Sequence, residues 1–354
     1  MSPPTETRTW TLQNKPTGNA ILSSDSNATF KLEKKPLPEL KDGHVLTQTL
    51  YLSNDPAQRG WIDPSIPKDR LYAPPVEIGQ TMSAYGVVKV LTSKSPTYKE
   101  GDLAVGGCGW SEFNVLPAEQ LQKVQEIPGI SPTQYLGALG MTAITAYAGL
   151  TNVIEAKKGE SIVVSSAAGA TGSIAVQIAK NMIGCSKVIG IAGTDDKCAW
   201  VKSLGADECI NYKKTDWKQA LTAATEGYVD MYYDNVGGEQ LDFMLTRLKT
   251  HGRVAACGAI ADYNASPDGK SGLKNWFEVI SQRLQIRGFI VLDHIKDGKG
   301  AEIVGKLSQA AKEGKINASS ENEHVVDTGF EDVPKTWTLL FEGANRGKLI
   351  SKIV

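Results

Sequence analysis

Short apolar runs alternate with segments of helical periodicity through the middle of the chain. Apolar, β-branched runs of this length are typical of buried strands, and apolar residues recurring every three or four positions are typical of helices. Their regular alternation predicts an α/β domain built on a doubly wound parallel sheet. The predicted strands cover residues 162–164, 187–192, 209–212, 229–234, 252–258 and 284–292, and the predicted helices begin near Ile174 and cover 196–204 and 302–312.

The two ends of the chain follow another pattern, in which polar and apolar residues alternate between turns rich in proline and glycine. This pattern predicts short strands of a small barrel or sandwich. The strands are predicted at 7–12, 30–33, 45–52, 86–91, 103–105 and 349–354, with one helix at 333–341. Ser131 is the predicted N-cap of the first helical segment. We therefore predict boundaries that divide the chain into 1–130, 131–314 and 315–354, with the short tail folding back onto the first part.

Composition narrows the possible classes of protein. A chain of 354 residues, 41% of them hydrophobic, has room for two domains with cores of their own. The net charge of −1 comes without a basic block, which argues against nucleic acid or an anionic membrane as a partner. Five cysteines form no CxxC pair, and neither an apolar signal core nor a membrane-spanning stretch is present. We expect a cytoplasmic protein with reduced thiols.

A turn of small residues joins the first predicted strand to the first predicted helix, which is the context of a dinucleotide-binding fingerprint. Gly169 and Gly172 hold the second and third glycine positions of the pattern G-x-G-x-x-G, and Ala167 replaces the first. Gly169 would let the backbone approach a pyrophosphate at the helix start, and Gly172 would let the helix pack closely on the strand. Thr171 belongs to the same turn and is grouped with them as a cofactor contact.

The end of the second strand indicates which dinucleotide is bound. An NAD site carries an acidic residue about 20 residues beyond the glycines, where it grips the ribose 2′-hydroxyl. Ala192 stands at this place, and Lys197 follows closely. A missing acid beside a cation suits a 2′-phosphate, so the sequence favours NADP(H). Asp195 and Asp196 keep NAD(H) open, since a small register shift would make either the missing acid.

Four short motifs follow one another along the chain: DPxxRG at 55–60, LGxLGMxxxTAY at 136–147, DNVGG at 234–238 and GxNxGK at 343–348. In this order they resemble one family, the zinc-independent medium-chain dehydrogenase/reductases, and within it the prostaglandin reductase and alkenal double-bond reductase group. The similarity runs from about residue 45 to the C-terminus. The family often has Tyr-Met inside the DPxxRG motif, where this chain has Ala57-Gln58, which predicts a smaller and more polar pocket wall.

The resemblance implies a GroES-like β-barrel catalytic domain, formed by residues 1–130 and 315–354, and a Rossmann NADP(H)-binding domain at 131–314. It implies NADPH-dependent reduction of the C=C bond of α,β-unsaturated aldehydes and ketones, with hydride delivered to the β-carbon and a proton to the α-carbon. The group favours homodimers. Such a site needs a hydrogen-bond donor for the developing enolate and a dry pocket that positions the alkene.

The resemblance also assigns site residues by position. Lys197 and Tyr212 match ligands of the 2′-phosphate, with Thr194 as a further candidate. Tyr263 matches a tyrosine near the ribose and the substrate carbonyl, and Tyr51 and Tyr85 match pocket tyrosines. Each tyrosine is equally well explained as a packing residue with a satisfied hydroxyl. The remaining cofactor contacts carried over are Asn235, Val236, Cys257 and Asn345.

Metal ligands are scarce where zinc-dependent relatives hold theirs. The first 130 residues contain one cysteine, Cys108, and one histidine, His44, so we expect no catalytic zinc. Besides enal and enone reduction, two other functions stay open at this stage. One is a quinone oxidoreductase of the same superfamily, and the other is a non-catalytic nucleotide-sensing or structural protein. The three functions are distinguished by whether the protein oxidises NADPH with alkenals, with quinones or with neither acceptor.

Overall fold

The computed structural model describes residues 3–266 and 269–354, which divide into two compact units. One unit joins the chain up to Leu136 with His324–Val354, and the other is Gly137–Glu323. In the described residues, no helix has the length and hydropathy needed to cross a membrane.

The elements are numbered along the chain. The strands are β1 (Glu6–Leu12), β2 (Phe30–Pro36), β3 (His44–Ser53), β4 (Tyr85–Ser93), β5 (Leu103–Gly107), β6 (Phe113–Pro117), β7 (Gln122–Lys123), β8 (Ser161–Val164), β9 (Lys187–Ala192), β10 (Glu208–Asn211), β11 (Val229–Asp234), β12 (Leu248–Ala256), β13 (Gln285–Gly288), β14 (Glu323–Thr328) and β15 (Lys348–Ile353). The helices are α1 (Ala57–Gly60), α2 (Met141–Ala148), α3 (Ala170–Gln177), α4 (Asp195–Ser203), α5 (Trp217–Ala224), α6 (Gly238–Leu245), α7 (Phe277–Ser281), α8 (Lys299–Lys312) and α9 (Val333–Glu342).

The unit made from both chain ends is a barrel-like antiparallel structure. Its larger sheet runs β14-β15-β3-β4-β5-β7, with β6 also pairing with β3, and β1 and β2 form a separate ribbon. The tail enters this sheet because β15 pairs antiparallel with β3. Phe30, Trp110 and Trp337 pack together in the core with ring centroids 4.9–5.9 Å apart. Aromatic burial of this size stabilises a small β unit strongly.

The second unit is a parallel sheet in the order β10-β9-β8-β11-β12-β13. This is the strand order of a Rossmann fold, so the predicted doubly wound sheet is confirmed. The strand order reverses between β8 and β11, which are neighbours in the sheet but not in sequence. Ligands of such sheets bind outside the carboxyl ends of the strands at this switch point. We therefore expect the cofactor at the turns that follow β8, β9, β11 and β12.

Two predicted elements differ from the structure. The last Rossmann strand was expected to reach residue 292, but β13 ends at Gly288 because β12, with which it pairs, ends opposite it at Ala256. The helix expected from Ser131 is a short 3₁₀ turn, Pro132–Tyr135, and α2 begins only at Met141. Ser131 does cap the short turn, since its Oγ accepts a hydrogen bond from the N–H of Thr133 at 3.4 Å.

Candidate cofactor and active site

The turn between β8 and α3 has the compact form that a phosphate-binding turn requires. A Cβ at Gly172 would lie 2.2 Å from the carbonyl oxygen of Ser166, and one at Gly169 would lie 2.9 Å from Ser166 Oγ. Ser166 has a left-handed backbone, with φ +47°, which is uncommon for a residue other than glycine. The small residues therefore allow α3 to start directly against the turn, with Thr171 in its first turn and the N–H groups there available to an anion.

The turn after β9 carries a cluster of cationic and phenolic groups. A Cβ at Gly193 would lie 3.4 Å from the Tyr212 hydroxyl and 3.5 Å from Lys213 Cε, so both side chains cover this glycine. Burial lowers the pKa of Lys197, and the nearby positive charge of Lys213 lowers it further. Two ammonium groups thus lie close together, and Lys213 forms no ion pair with any of the residues described. This donor set fits an anionic ligand such as a 2′-phosphate.

Of the two acidic residues beside this cluster, Asp195 is bound to other side chains. Asp195 accepts a hydrogen bond from Asn211 Nδ2 at 3.0 Å and pairs with Lys214 Nζ at 2.9 Å, and these contacts lower its pKa. Asp196 is exposed. Thr194 is the N-cap of α4, and its Oγ1 accepts from the N–H of Lys197 at 3.2 Å. Of the two carboxylates that kept NAD(H) open, that of Asp195 is therefore occupied by Lys214.

At the carboxyl end of β11, the buried carboxylate of Asp234 collects hydrogen bonds from four groups. Its Oδ1 accepts from Ser165 Oγ at 3.1 Å, from the Tyr232 hydroxyl at 3.0 Å, and from the N–H groups of Val236 and Gly237 at 3.0 Å each. Burial raises its pKa above the ordinary value. This network joins the ends of β8 and β11 and holds the following turn in one conformation.

Asn235 is fixed by the same network. Its backbone N–H donates to Ser165 Oγ at 2.8 Å, and its side-chain Nδ2 donates to the Ser165 carbonyl at 2.8 Å. Ser165 and Asp234 were not among the predicted site residues. The position of Asp234 in the DNVGG motif was a usable signal, because a carboxylate directly after a buried strand needs several donors.

Residues at the end of β12 complete this side of the sheet. The N–H of Cys257 donates to the Asp234 carbonyl at 2.8 Å, and burial raises the pKa of its thiol to about 12, so the thiol is protonated at neutral pH. A Cβ at Gly258 would lie 3.1 Å from the Asn235 carbonyl oxygen and 3.3 Å from the Tyr263 hydroxyl. The Tyr263 hydroxyl accepts from the N–H of Ala259 at 3.3 Å. Asn235 and Tyr263 therefore flank one glycine at the sheet edge.

In the other unit, Tyr51 and Tyr85 lie on one face of the large sheet. Tyr51 pairs with Val87, and Tyr85 is two residues from Val87, which places the three side chains on the same side. Tyr85 is half exposed, and neither hydroxyl has a hydrogen-bond partner in the described part of the chain. Asn345, in the loop before β15, donates from Nδ2 to the Gly347 carbonyl at 2.8 Å.

The DPxxRG loop is braced from within its own unit. Asp55 pairs with Lys348 Nζ at 2.5 Å, and the buried Arg59 donates to the carbonyls of Pro16 and Gly18 at 2.9 and 3.0 Å. Gln58 is fully buried. Its side-chain amide donates to the Ser83 carbonyl and accepts from the N–H of Asp55, both at 2.8 Å. The expectation that Gln58 makes a pocket wall more polar is therefore wrong.

Candidate metal ligands do not gather in the part of the chain that the structure describes. Among residues 3–266 and 269–354, no group of three or more His, Cys, Asp or Glu side chains is placed to hold a metal ion.

Comparisons with known proteins cover nearly the whole chain. Residues 8–124 match the family described as N-terminal domain of oxidoreductase, and residues 170–303 match the family described as zinc-binding dehydrogenase. Prostaglandin reductase 1 of Bos taurus is 38% identical over 349 residues, 98% of each chain. The NADP(+)-dependent 2-alkenal reductase of Nicotiana tabacum is 36% identical over 332 residues, 92% of this chain and 90% of its own.

A solved structure agrees with these relatives. The crystal structure of CurA from Vibrio vulnificus in complex with NADPH superimposes with a TM-score of 0.85 at 32% identity, covering 98% of this chain and 99% of that one. The agreement includes both the Rossmann sheet and the barrel-like unit. Fold, motifs and relatives lead to one assignment: the chain belongs to the zinc-independent medium-chain dehydrogenase/reductases, in the group of the prostaglandin reductases and alkenal double-bond reductases.

Proposed function

We propose that the protein uses NADPH to reduce the C=C bond of α,β-unsaturated aldehydes and ketones. The observation that carries the cofactor is the pair of neighbouring cations, Lys197 and Lys213, beside the Tyr212 hydroxyl, with the neighbouring carboxylate of Asp195 bound to Lys214. The substrate class is supported by the relatives, which are named for 2-alkenals and prostaglandins and cover more than nine-tenths of the chain.

The residues of the Rossmann unit fit this cofactor from end to end. The turn at Gly169–Gly172 would hold the pyrophosphate on the N–H groups at the start of α3, and the close packing of Gly172 on the backbone of Ser166 keeps the helix start beside the turn. Lys197, Tyr212 and Lys213 would hold the 2′-phosphate, with Thr194 at the start of the same helix. Asn235, Val236 and Cys257 would border the nicotinamide, and Asn345 is proposed as a further contact from the tail. When bound, NADPH supplies the hydride.

The protein's own contribution is positioning and stabilisation of charge. The Asp234 network orders the turn that contains Asn235 and Val236, so the sheet edge presents one fixed surface. The Tyr263 hydroxyl lies at this edge, and a phenol there is a donor for the oxygen on which enolate charge develops. Tyr51 and Tyr85 are proposed as alternative donors or pocket residues, since both hydroxyls lack a partner in the described residues.

The test is a steady-state screen of NADPH oxidation across 2-alkenals, enones, quinones and saturated aldehydes. We expect turnover with alkenals and enones, a saturated carbonyl product by mass spectrometry, and deuterium at the β-carbon from deuterated NADPH. Faster turnover of quinones with no reduction of alkenals would replace the proposal with a quinone oxidoreductase. Tight NADPH binding with no acceptor turned over would indicate a nucleotide-sensing protein.

We further propose that the protein acts as a homodimer. β13 is the edge strand of the Rossmann sheet, and the preceding α7 exposes Phe277 (72%) and Ile280 (63%) to solvent. Unpaired edge strands and clustered exposed apolar side chains are typical of association surfaces. Light scattering should give twice the 38.0 kDa mass of the chain, and Phe277→Glu should shift the protein to the monomer. A monomeric parent protein would contradict this proposal.

A further inference from the structure

Two thiols face each other between α4 and β10, next to the proposed 2′-phosphate site. Asn211 at the end of β10 donates to Asp195 at the start of α4, with 3.0 Å between Nδ2 and Oδ1. Cys209 lies two residues before Asn211 in the strand, and Cys198 lies three residues after Asp195 in the helix. These offsets keep both cysteines on the facing sides of the two elements, and each thiol is the largest influence on the pKa of the other.

The position of the Cys209 sulfur is given independently by its neighbour in the sheet. A Cβ at Gly190 would lie 3.1 Å from Cys209 Sγ and 2.7 Å from Val201 Cγ1. Val201 follows Cys198 by three residues, so it lies on the same inner face of α4. Cys198 is 7% exposed, Cys209 is half-buried, and both are free thiols. The layer between helix and sheet therefore contains a paired dithiol.

We propose that Cys198 and Cys209 are a redox-active dithiol, which a hydroperoxide converts to a disulfide, and that this disulfide weakens binding of the cofactor's 2′-phosphate. Disulfide formation stands on the geometry of the pair alone. The effect on the cofactor rests on the function proposed above.

The chemistry of the pair sets the order of events. The neighbouring Cys209 thiol lowers the pKa of Cys198, whereas the Cys198 thiol, together with burial, raises the pKa of Cys209. Cys198 is therefore the nucleophile: its thiolate attacks a peroxide oxygen, forms a sulfenic acid and releases hydroxide, or an alkoxide from an alkyl hydroperoxide. The Cys209 sulfur then attacks the sulfenic sulfur and expels a second hydroxide, which takes up its thiol proton as water. Two thiols are oxidised, one peroxide is reduced, and no other reactant is needed.

The other three thiols provide a contrast within the same chain. Burial raises the pKa of Cys185 to about 11 and those of Cys108 and Cys257 to about 12. Since the thiolate is the reactive form, peroxide should select Cys198 over these three.

The cross-link would act on residues proposed to hold the phosphate. Lys197 directly precedes Cys198, and Tyr212 and Lys213 follow Cys209 by three and four residues. A disulfide brings its sulfurs to about 2.05 Å with a fixed dihedral angle, which is closer than two unlinked thiols can approach. Drawing α4 toward β10 changes the separation of Lys197 from Tyr212 and Lys213, whereas the pyrophosphate turn is not part of the link.

The experiment treats the full chain, without cofactor, with a small molar excess of hydrogen peroxide and then removes the peroxide. We expect the intact mass of the protein to fall by the mass of two hydrogens. A tryptic digest should contain peptides 198–202 and 203–213 joined by a disulfide. The dissociation constant for NADPH should rise by about tenfold, the loss of roughly one charge-assisted contact, with that for NADH nearly unchanged. Dithiothreitol should reverse both changes. Cys198→Ser should show neither, and Cys185→Ser, the matched control, should show both.

Each failure has a distinct meaning. Absence of the linked peptides in the parent protein overturns the dithiol assignment, whether or not the serine variants fold. Linked peptides with unchanged NADPH affinity overturn the coupling to the phosphate site. A reduced protein that binds NADPH and NADH equally overturns the proposed cofactor preference instead, because the cross-link is measured without cofactor.

Discussion

Two neighbouring lysines of the same turn differ in their contacts. Lys213 lies over Gly193 beside the Tyr212 hydroxyl and forms no ion pair within the described residues, whereas Lys214 is bound to Asp195 at 2.9 Å. Sequence alone does not separate the two, since they are adjacent and of the same type. We therefore propose Lys213, and not Lys214, as a ligand of the 2′-phosphate.

We therefore predict that Lys197→Ala and Lys213→Ala each weaken NADPH binding by about tenfold or more, because a charge-assisted contact is worth roughly 1.5–3 kcal/mol. Binding of NADH should change little. Lys214→Ala is the matched control and should leave the ratio of the two affinities near that of the parent protein. Fluorescence titration gives the dissociation constants for both cofactors. Equal losses of affinity for NADPH and NADH would contradict the assignment of these lysines to the 2′-phosphate.

Tyr263 carries the second prediction at this scale. Its hydroxyl accepts a hydrogen bond from the N–H of Ala259 at 3.3 Å and can also act as a donor. Tyr263→Phe keeps the ring and removes the donor, so turnover of a 2-alkenal should fall by about tenfold if the hydroxyl relays a proton and by ~10²–10³ if it binds the oxyanion directly. NADPH affinity should be nearly unchanged. Turnover at the parent rate would make Tyr263 structural and move the role to Tyr51 or Tyr85, tested in the same way.

At the scale of elements, the start of α3 depends on close packing against the turn before it. A Cβ at Gly172 would lie 2.2 Å from a backbone oxygen, so Gly172→Ala must displace the helix from the turn. We expect a loss of about 1–3 kcal/mol in the free energy of unfolding and a clear loss of NADPH affinity. Gly305→Ala, in α8 with nothing within 4 Å of the new methyl group, is the control and should be neutral or stabilising by up to about 1 kcal/mol. Urea denaturation and cofactor titration test the pair, and equal stability of the two variants would contradict the packing argument.

The Asp234 network joins two elements that are distant in sequence. Asp234→Asn replaces one acceptor oxygen with a donor that faces other donors, so about 1–3 kcal/mol of unfolding free energy should be lost. Tyr232→Phe removes only one of the donors and should cost less, about 1 kcal/mol. Reduced turnover is expected to accompany the Asn variant, because Asn235 loses its fixed turn. If Asp234→Asn is as stable and active as the parent, the network does not position the site.

At the scale of the whole molecule, the description of the matching family implies bound zinc, whereas the described residues of this chain contain no matching group of metal ligands. The matching family is described as zinc-binding dehydrogenase, yet the described residues contain no cluster of three or more potential ligands. Exhaustive dialysis against a chelator should therefore leave alkenal turnover unchanged, with metal analysis of the dialysed protein as the control. Activity lost on dialysis and regained with zinc would contradict the zinc-independent mechanism.

Local sequence determined most of the Rossmann unit. The bounds predicted for β9 and β11 are those observed. A parallel strand buried on both faces is mostly apolar, so it can be recognised from its own sequence without knowledge of its neighbours. The glycine turn, the missing acid at Ala192 and the motif blocks are likewise local patterns, and they were enough to indicate both the family and NADP(H).

Only the tertiary structure decided where side chains meet across the chain. Ser165 and Asp234 are 69 residues apart in sequence and 3.1 Å apart in space, and nothing in either segment alone shows the pairing. The same holds for Gln58, which the motif placed at a pocket wall and packing placed in the core, and for β13, whose length was set by the end of its partner β12. Short-range periodicity records whether a residue is buried, whereas the identity of its neighbours depends on contacts that form only when distant elements pack.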